Sequence, residues 1–104
     1  MNPSDDKKKT NFNDPLCVIK EVIIQNSNGL HARPAALFVK TANRFRVEIS
    51  VEKEGELING KSIMGLMMLA AAKGSKIRLI AKGEEAAVAI ASLEALIMNS
   101  FGEV

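Results

Sequence analysis

One cysteine, one histidine, no tryptophan and no tyrosine: each scarcity in this sequence removes a class of function. A lone Cys17 forbids an intramolecular disulfide, and Cys17 with His31 falls short of the usual zinc ligand set, so no metal site is expected. Phenylalanine is the only aromatic residue and occurs four times, so the stacking platforms that hold single-stranded nucleic acid are missing. Charge of one sign is also lacking. Fourteen Lys and Arg against 12 Asp and Glu leave +2, too weak a field to draw nucleic acid or an anionic membrane. No apolar run nears the roughly 20 residues that span a bilayer. The N-terminal stretch MNPSDDKKKTNFND has no apolar core of the kind a signal peptide needs. The expectation is a cytoplasmic protein with no cofactor, no nucleic-acid partner and no membrane insertion.

What is present suffices for one core, since 47% of 104 residues are hydrophobic. Residues 1–16 are polar, carry three Lys against three Asp and contain Pro3 and Pro15, which reads as a flexible N-terminal extension before a domain over 17–104. LCVIKEVII, from Leu16 to Ile24, is rich in β-branched residues and runs into the turn formers QNSNG, so it is the first strand. Ala35, Phe38, Val39 and Ala42 recur at helical spacing between His31 and Asn43. Val47, Ile49 and Val51 alternate with Glu48, Ser50 and Glu52 in a second strand, Glu54 and Gly55 mark a turn, and a short strand returns around Leu57 and Ile58. Ser62 is a good N-cap for a second helix over Ile63–Ala72, with Lys73 and Gly74 as its basic last turn and stop. Ile77, Leu79 and Ala81 alternate in a fourth strand. Glu84 and Glu85 suit the positive end of a third helix, whose apolar stripe is Ala86, Ile90, Leu93, Ile97 and Phe101. The order β-α-β-β-α-β-α predicts an α+β fold with helices on one face of a sheet, and leaves the order of strands open.

The chemistry concentrates in Gly29, Leu30, His31, Ala32, Arg33 and Pro34, where the first strand's exit loop becomes the first helix. A helix start leaves about four amides unpaired and carries partial positive charge, so it can hold a phosphate. Pro34 costs little in a first turn, while Ala32 and Arg33 keep free amides as the phosphate-binding backbone. A neutral imidazole at that mouth is a nucleophile, and the Arg33 guanidinium can neutralise the oxygens of a phosphoryl group in transit. A loop histidine beside a solvated helix charge is the plain alternative. The small or polar neighbours, and the expected absence of any Asp or Glu nearby, favour an open, electropositive phosphate site.

After Ser62, the run Ile63, Met64, Gly65, Leu66, Met67, Met68 and Leu69 is apolar all round. A helix packing one face on a sheet should be polar on the other, so Ile63, Met64, Leu66 and Met67 are read as an adaptable docking patch. Core filling is the competing explanation for the methionines, and capping alone accounts for Ser62.

GLHARPA at 29–35 and KSIMGLMMLAAAKG at 61–74, in this element order, resemble the HPr family of histidine-phosphorylated carriers of the bacterial phosphotransferase system. The resemblance runs from about Val18 to Gly102. It implies an open-faced β-sandwich, four antiparallel strands covered on one face by three helices, with His31 as the phosphorylated histidine and Arg33 as the phosphate-stabilising arginine. It further implies a monomeric carrier, not itself an enzyme, taking phosphate from phosphoenolpyruvate through Enzyme I and giving it to Enzyme IIA-type acceptors. Ser62 matches the family's regulatory serine, which implies a serine kinase/phosphorylase as a further partner. MMLAAAKG and LEALIMNSFGE resemble the nitrogen-regulatory and proteobacterial branches. A second function stays open: an interaction module whose partner is switched by phosphorylation of His31 or Ser62.

Overall fold

The alternation of apolar and polar residues builds a sheet with one dry face. The structure, a computed structural model, describes residues 16–103, with strands β1 (Cys17–Ile23), β2 (Glu48–Lys53), β3 (Glu56–Asn59) and β4 (Lys76–Lys82). Their order across the sheet is β1-β4-β2-β3, every pairing antiparallel. β1 runs beside β4 from Cys17 opposite Lys82 to Ile23 opposite Lys76, and Glu52 stands opposite Arg78 across β2 and β4. Val22, Ile49, Val51, Ile77, Leu79 and Ala81 are buried. On the other face Arg78 pairs with Glu52 at 3.3 Å in solvent.

Helices α1 (Ala32–Ala42), α2 (Ile63–Met68) and α3 (Ala86–Met98) make this the open-faced sandwich that the sequence predicts. Ala35, Phe38 and Ala42 of α1, Leu66 of α2, and Ala89, Leu93 and Ile97 of α3 are fully enclosed in a single core with the sheet. Burying a Leu or Phe side chain there contributes about 1.5–3 kcal/mol each. Among the described residues no helix is long and apolar enough to cross a membrane. The N-terminal extension expected over 1–16 lies, apart from Leu16, outside the described residues.

Three expectations need correction. α2 ends at Met68, not Ala72: Ala70 takes φ 52, a left-handed stop. Ala71 O instead accepts from Leu30 N at 2.9 Å, so tertiary contact overrides the helix preference of three alanines. Phe101 is buried as the stripe predicts, but it lies beyond α3, in the 3₁₀ turn Ser100–Gly102. Glu85 holds the N-cap position without capping: its carboxylate accepts from Arg46 N at 2.7 Å, tying α3 to the approach of β2.

Candidate functional site

The loop between β1 and α1 is shaped by Gly29. Its φ of 68 lies in the left-handed region, and any Cβ there would overlap the Ala71 carbonyl oxygen. This close approach, with the Leu30 amide bound to that same oxygen, seats the loop on the exit of α2. His31 follows as the N-cap of α1 in extended backbone (φ −82, ψ −170), and its side chain makes no capping bond. The imidazole is therefore free to point elsewhere, 38% exposed. A shallow hollow of about 240 Å³ runs beside it, lined by Asn28, Leu30, His31 and Ala70 to Ala72.

Pro34 sits buried in the first turn of α1, its missing donor harmless there. The amides of Ala32 and Arg33 donate to no protein group among the described residues, as the first amides of a helix do. Arg33 is exposed and forms no ion pair among the described residues. The structure thus brings His31, Ala32 and Arg33 together at one helix start.

It also brings an acid there, against expectation. His31 Nε2 lies 3.1 and 3.2 Å from the two carboxylate oxygens of Glu103. The carboxylate comes from 72 residues away, beyond the range of any local reading, because Ser100 (φ 54) and Phe101 (φ 55) reverse the chain after α3. Asn26, fully buried, completes the group: its Nδ2 donates to Gly29 O at 2.8 Å and to Glu103 Oε1 at 3.0 Å. Its Oδ1 is buried with no hydrogen-bond partner among the described residues. Partial desolvation opposes ionisation of Glu103. The hydrogen bonds from His31 and Asn26, with the charges of His31 and Arg33, outweigh it and hold the carboxyl below its ordinary value. The site is open but mixed in charge, with one cation free to solvent and one carboxylate held against the ring. Glu103 and Asn26 are the residues that sequence reasoning missed. The only local signal was an asparagine where the alternation of β1 and its exit calls for a buried side chain.

Ser62 caps α2, its Oγ accepting from Gly65 N at 3.0 Å. Ile63, Met64 and Met67 are exposed as the docking reading requires, Met64 to 73%, and Met68 joins them at 69%. Leu66 does not belong to that face. It is fully buried, because a helix seated on a core must turn one residue of each turn inward.

A family model described as the PTS HPr component phosphorylation site matches residues 18–99. The HPr-like protein Crh of Halalkalibacterium halodurans is 52% identical over 80 residues, spanning 77% of this chain and 95% of its own. Phosphocarrier protein HPr of Neisseria meningitidis is 49% identical over 84 residues, spanning 81% and 94%. The crystal structure of HPr-C-His from Thermoanaerobacter tengcongensis is similar with a TM-score of 0.81 at 46% identity, covering 84% of this chain and 98% of the other.

Proposed function

We propose that this chain, which belongs to the PTS HPr family and is a phosphoryl carrier of the phosphotransferase system, accepts its phosphoryl group on His31 from phosphoenolpyruvate by way of Enzyme I and passes it to Enzyme IIA-type acceptors. The observation that carries this reading is an accessible imidazole at a helix start whose first amides have no partner among the described residues. With Nε2 engaged by Glu103, a neutral ring keeps its proton on Nε2 and its lone pair on Nδ1. Nδ1 attacks phosphorus, the N–P bond forms, and the bond to the donor breaks with its electron pair leaving on the donor. The amides of Ala32 and Arg33, the helix dipole and the Arg33 guanidinium offset the charge of the phosphoryl oxygens. Ile63, Met64 and Met67 form the apolar face that docks partners. The carrier domain in this reading is 17–104, a cytoplasmic monomer; pairing of β1 with β4 along its whole length within one chain is compatible with a self-contained unit.

A second reading rests on Ser62, which heads the exposed methionine helix. Phosphorylation there by a serine kinase would place dense negative charge at the rim of the docking face and switch which partner binds. The two readings are compatible.

Incubation with phosphoenolpyruvate and Enzyme I, followed by mass spectrometry at neutral pH, tests the carrier. Wild type gains one acid-labile phosphate on His31, and His31→Ala gains none while keeping its circular dichroism spectrum. Acid-labile phosphate retained in that variant overturns the assignment. Light scattering of a stable dimer would overturn the monomer.

A further inference from the structure

We infer that Glu103, held in place by Asn26, is a positioning residue for phosphoryl transfer that fixes the tautomer and orientation of the His31 ring. This rests on His31 being the phosphoryl acceptor.

The geometry is that of an imidazole oriented by an acid that is itself oriented. Both Glu103 oxygens reach Nε2, so a single N–H on that nitrogen satisfies the carboxylate whether or not the ring is charged. Glu103 Oε1 is fixed in turn by Asn26 Nδ2, and the same amide nitrogen ties Gly29 O, so the loop that carries His31 and the turn that carries Glu103 share one clamp. Two features of that clamp run against stability. Asn26 is enclosed with its Oδ1 unpaired among the described residues, and Ser100 and Phe101 both adopt left-handed backbone without being glycine. Burial of Phe101 accounts for docking of the turn. It does not account for a buried asparagine at a position where an apolar residue would be better, and the carboxylate does.

The chemistry then follows. In the forward step Nδ1 donates its lone pair to phosphorus, the donor's bond to phosphorus breaks with its electron pair, and the ring becomes a phosphoimidazolium that still carries its proton on Nε2. The positive charge that develops faces the Glu103 carboxylate. In the onward step the acceptor's nucleophile forms the new bond to phosphorus, the P–Nδ1 pair returns to the ring, and neutral imidazole leaves with the Nε2 proton where it was. No proton has to move in either direction. Among the described residues the other charged group acting on the carboxylate is Arg33, and the hollow beside His31 is lined by the uncharged Asn28, Leu30 and Ala70 to Ala72.

Glu103→Gln keeps the size of the side chain and offers the ring both a donor and an acceptor, so it no longer selects a tautomer. Nitrogen-15 NMR of the neutral imidazole in unphosphorylated protein should show the Nε2–H form dominant in wild type and a mixture in Glu103→Gln. Phosphoryl acceptance from Enzyme I should slow about tenfold in kcat with KM little changed. Glu103→Ala should do the same, and Asn26→Ala should move both readouts in the same direction by less. A tautomer ratio in Glu103→Gln and Glu103→Ala equal to wild type, or an unchanged kcat, overturns the proposal. Wild-type protein that takes no phosphate from Enzyme I sinks the carrier reading instead, and the two failures are distinct because the tautomer is read on unphosphorylated protein.

Discussion

Gly29→Ala should be the most damaging single methyl group that can be added to this domain, and its cost can be worked from the backbone. An alanine held at φ 68 costs roughly 1–2 kcal/mol for the left-handed conformation alone. Its Cβ would also overlap Ala71 O and lie 2.8 Å from Ala72 Cα, both backbone atoms that cannot rotate aside. Forcing them apart costs about 1–3 kcal/mol, and the Leu30 N to Ala71 O bond, about 1 kcal/mol net, goes with it. The sum is about 3–6 kcal/mol, which for a domain of this size lowers Tm by at least about 12 °C. Gly74→Ala is the control. Gly74 has φ 89 but, beyond its chain neighbours, no atom of the described residues within 4 Å of where the new methyl would stand, so it loses only the conformational part, roughly 1–2 kcal/mol. Thermal and urea denaturation of the two variants, followed by circular dichroism, isolates the close approach. Equal losses of stability would refute the claim that the His31 loop is seated against Ala71.

Arg33→Ala should slow phosphoryl acceptance about 10–100-fold without abolishing it, since the amides and dipole remain; rapid-quench kinetics indistinguishable from wild type would remove Arg33 from the site. Ser62→Asp should leave Tm unchanged or slightly raised, because a carboxylate caps a helix start well, while weakening Enzyme I association several-fold by calorimetry. Leu66→Ala should cost about 2–5 kcal/mol in urea titrations, whereas Met64→Ala should change stability by under about 0.5 kcal/mol and weaken Enzyme I binding. The pH dependence follows from Glu103, whose carboxyl is held below its ordinary value in the folded state. Its contribution is therefore fully present above the unfolded carboxylate value and lost as pH falls through the folded one. Glu103→Gln should flatten that part of the acid limb; an acid limb identical to wild type would show that the pairing adds nothing to stability.

The elements that read well from sequence are those whose signal is local and periodic. Val47, Ile49 and Val51, and Ile77, Leu79 and Ala81, alternate because each strand has one dry face, and all six are buried. Ser62 announces a helix start and caps it. What could not be read is what distant segments impose on each other. Ala70 to Ala72 favour helix by composition, yet Leu30, far back in the chain, claims the Ala71 carbonyl and ends α2 early. Glu103 sits 72 residues from His31, and only the reversal at Ser100 and Phe101 turns a terminal acid into part of the site. Leu66 is apolar like its neighbours Met67 and Met68, so the choice of which residue faces inward depends on how α2 is rolled against the sheet.

The pairing of β1 with β4 makes the histidine loop a late product of folding. β1 is complete at Ile23, but among the described residues its one neighbour in the sheet begins at Lys76, and the acid that holds the ring comes after that. A chain emerging from the ribosome thus carries His31 long before it carries the strand that aligns the loop or the turn that orients the imidazole. Joining segments so far apart in sequence is also the slow kind of contact to form. On the roles proposed for His31 and Glu103, copies cut short before Lys76 would display the histidine without the strand and the turn that align it, and would carry phosphate more slowly.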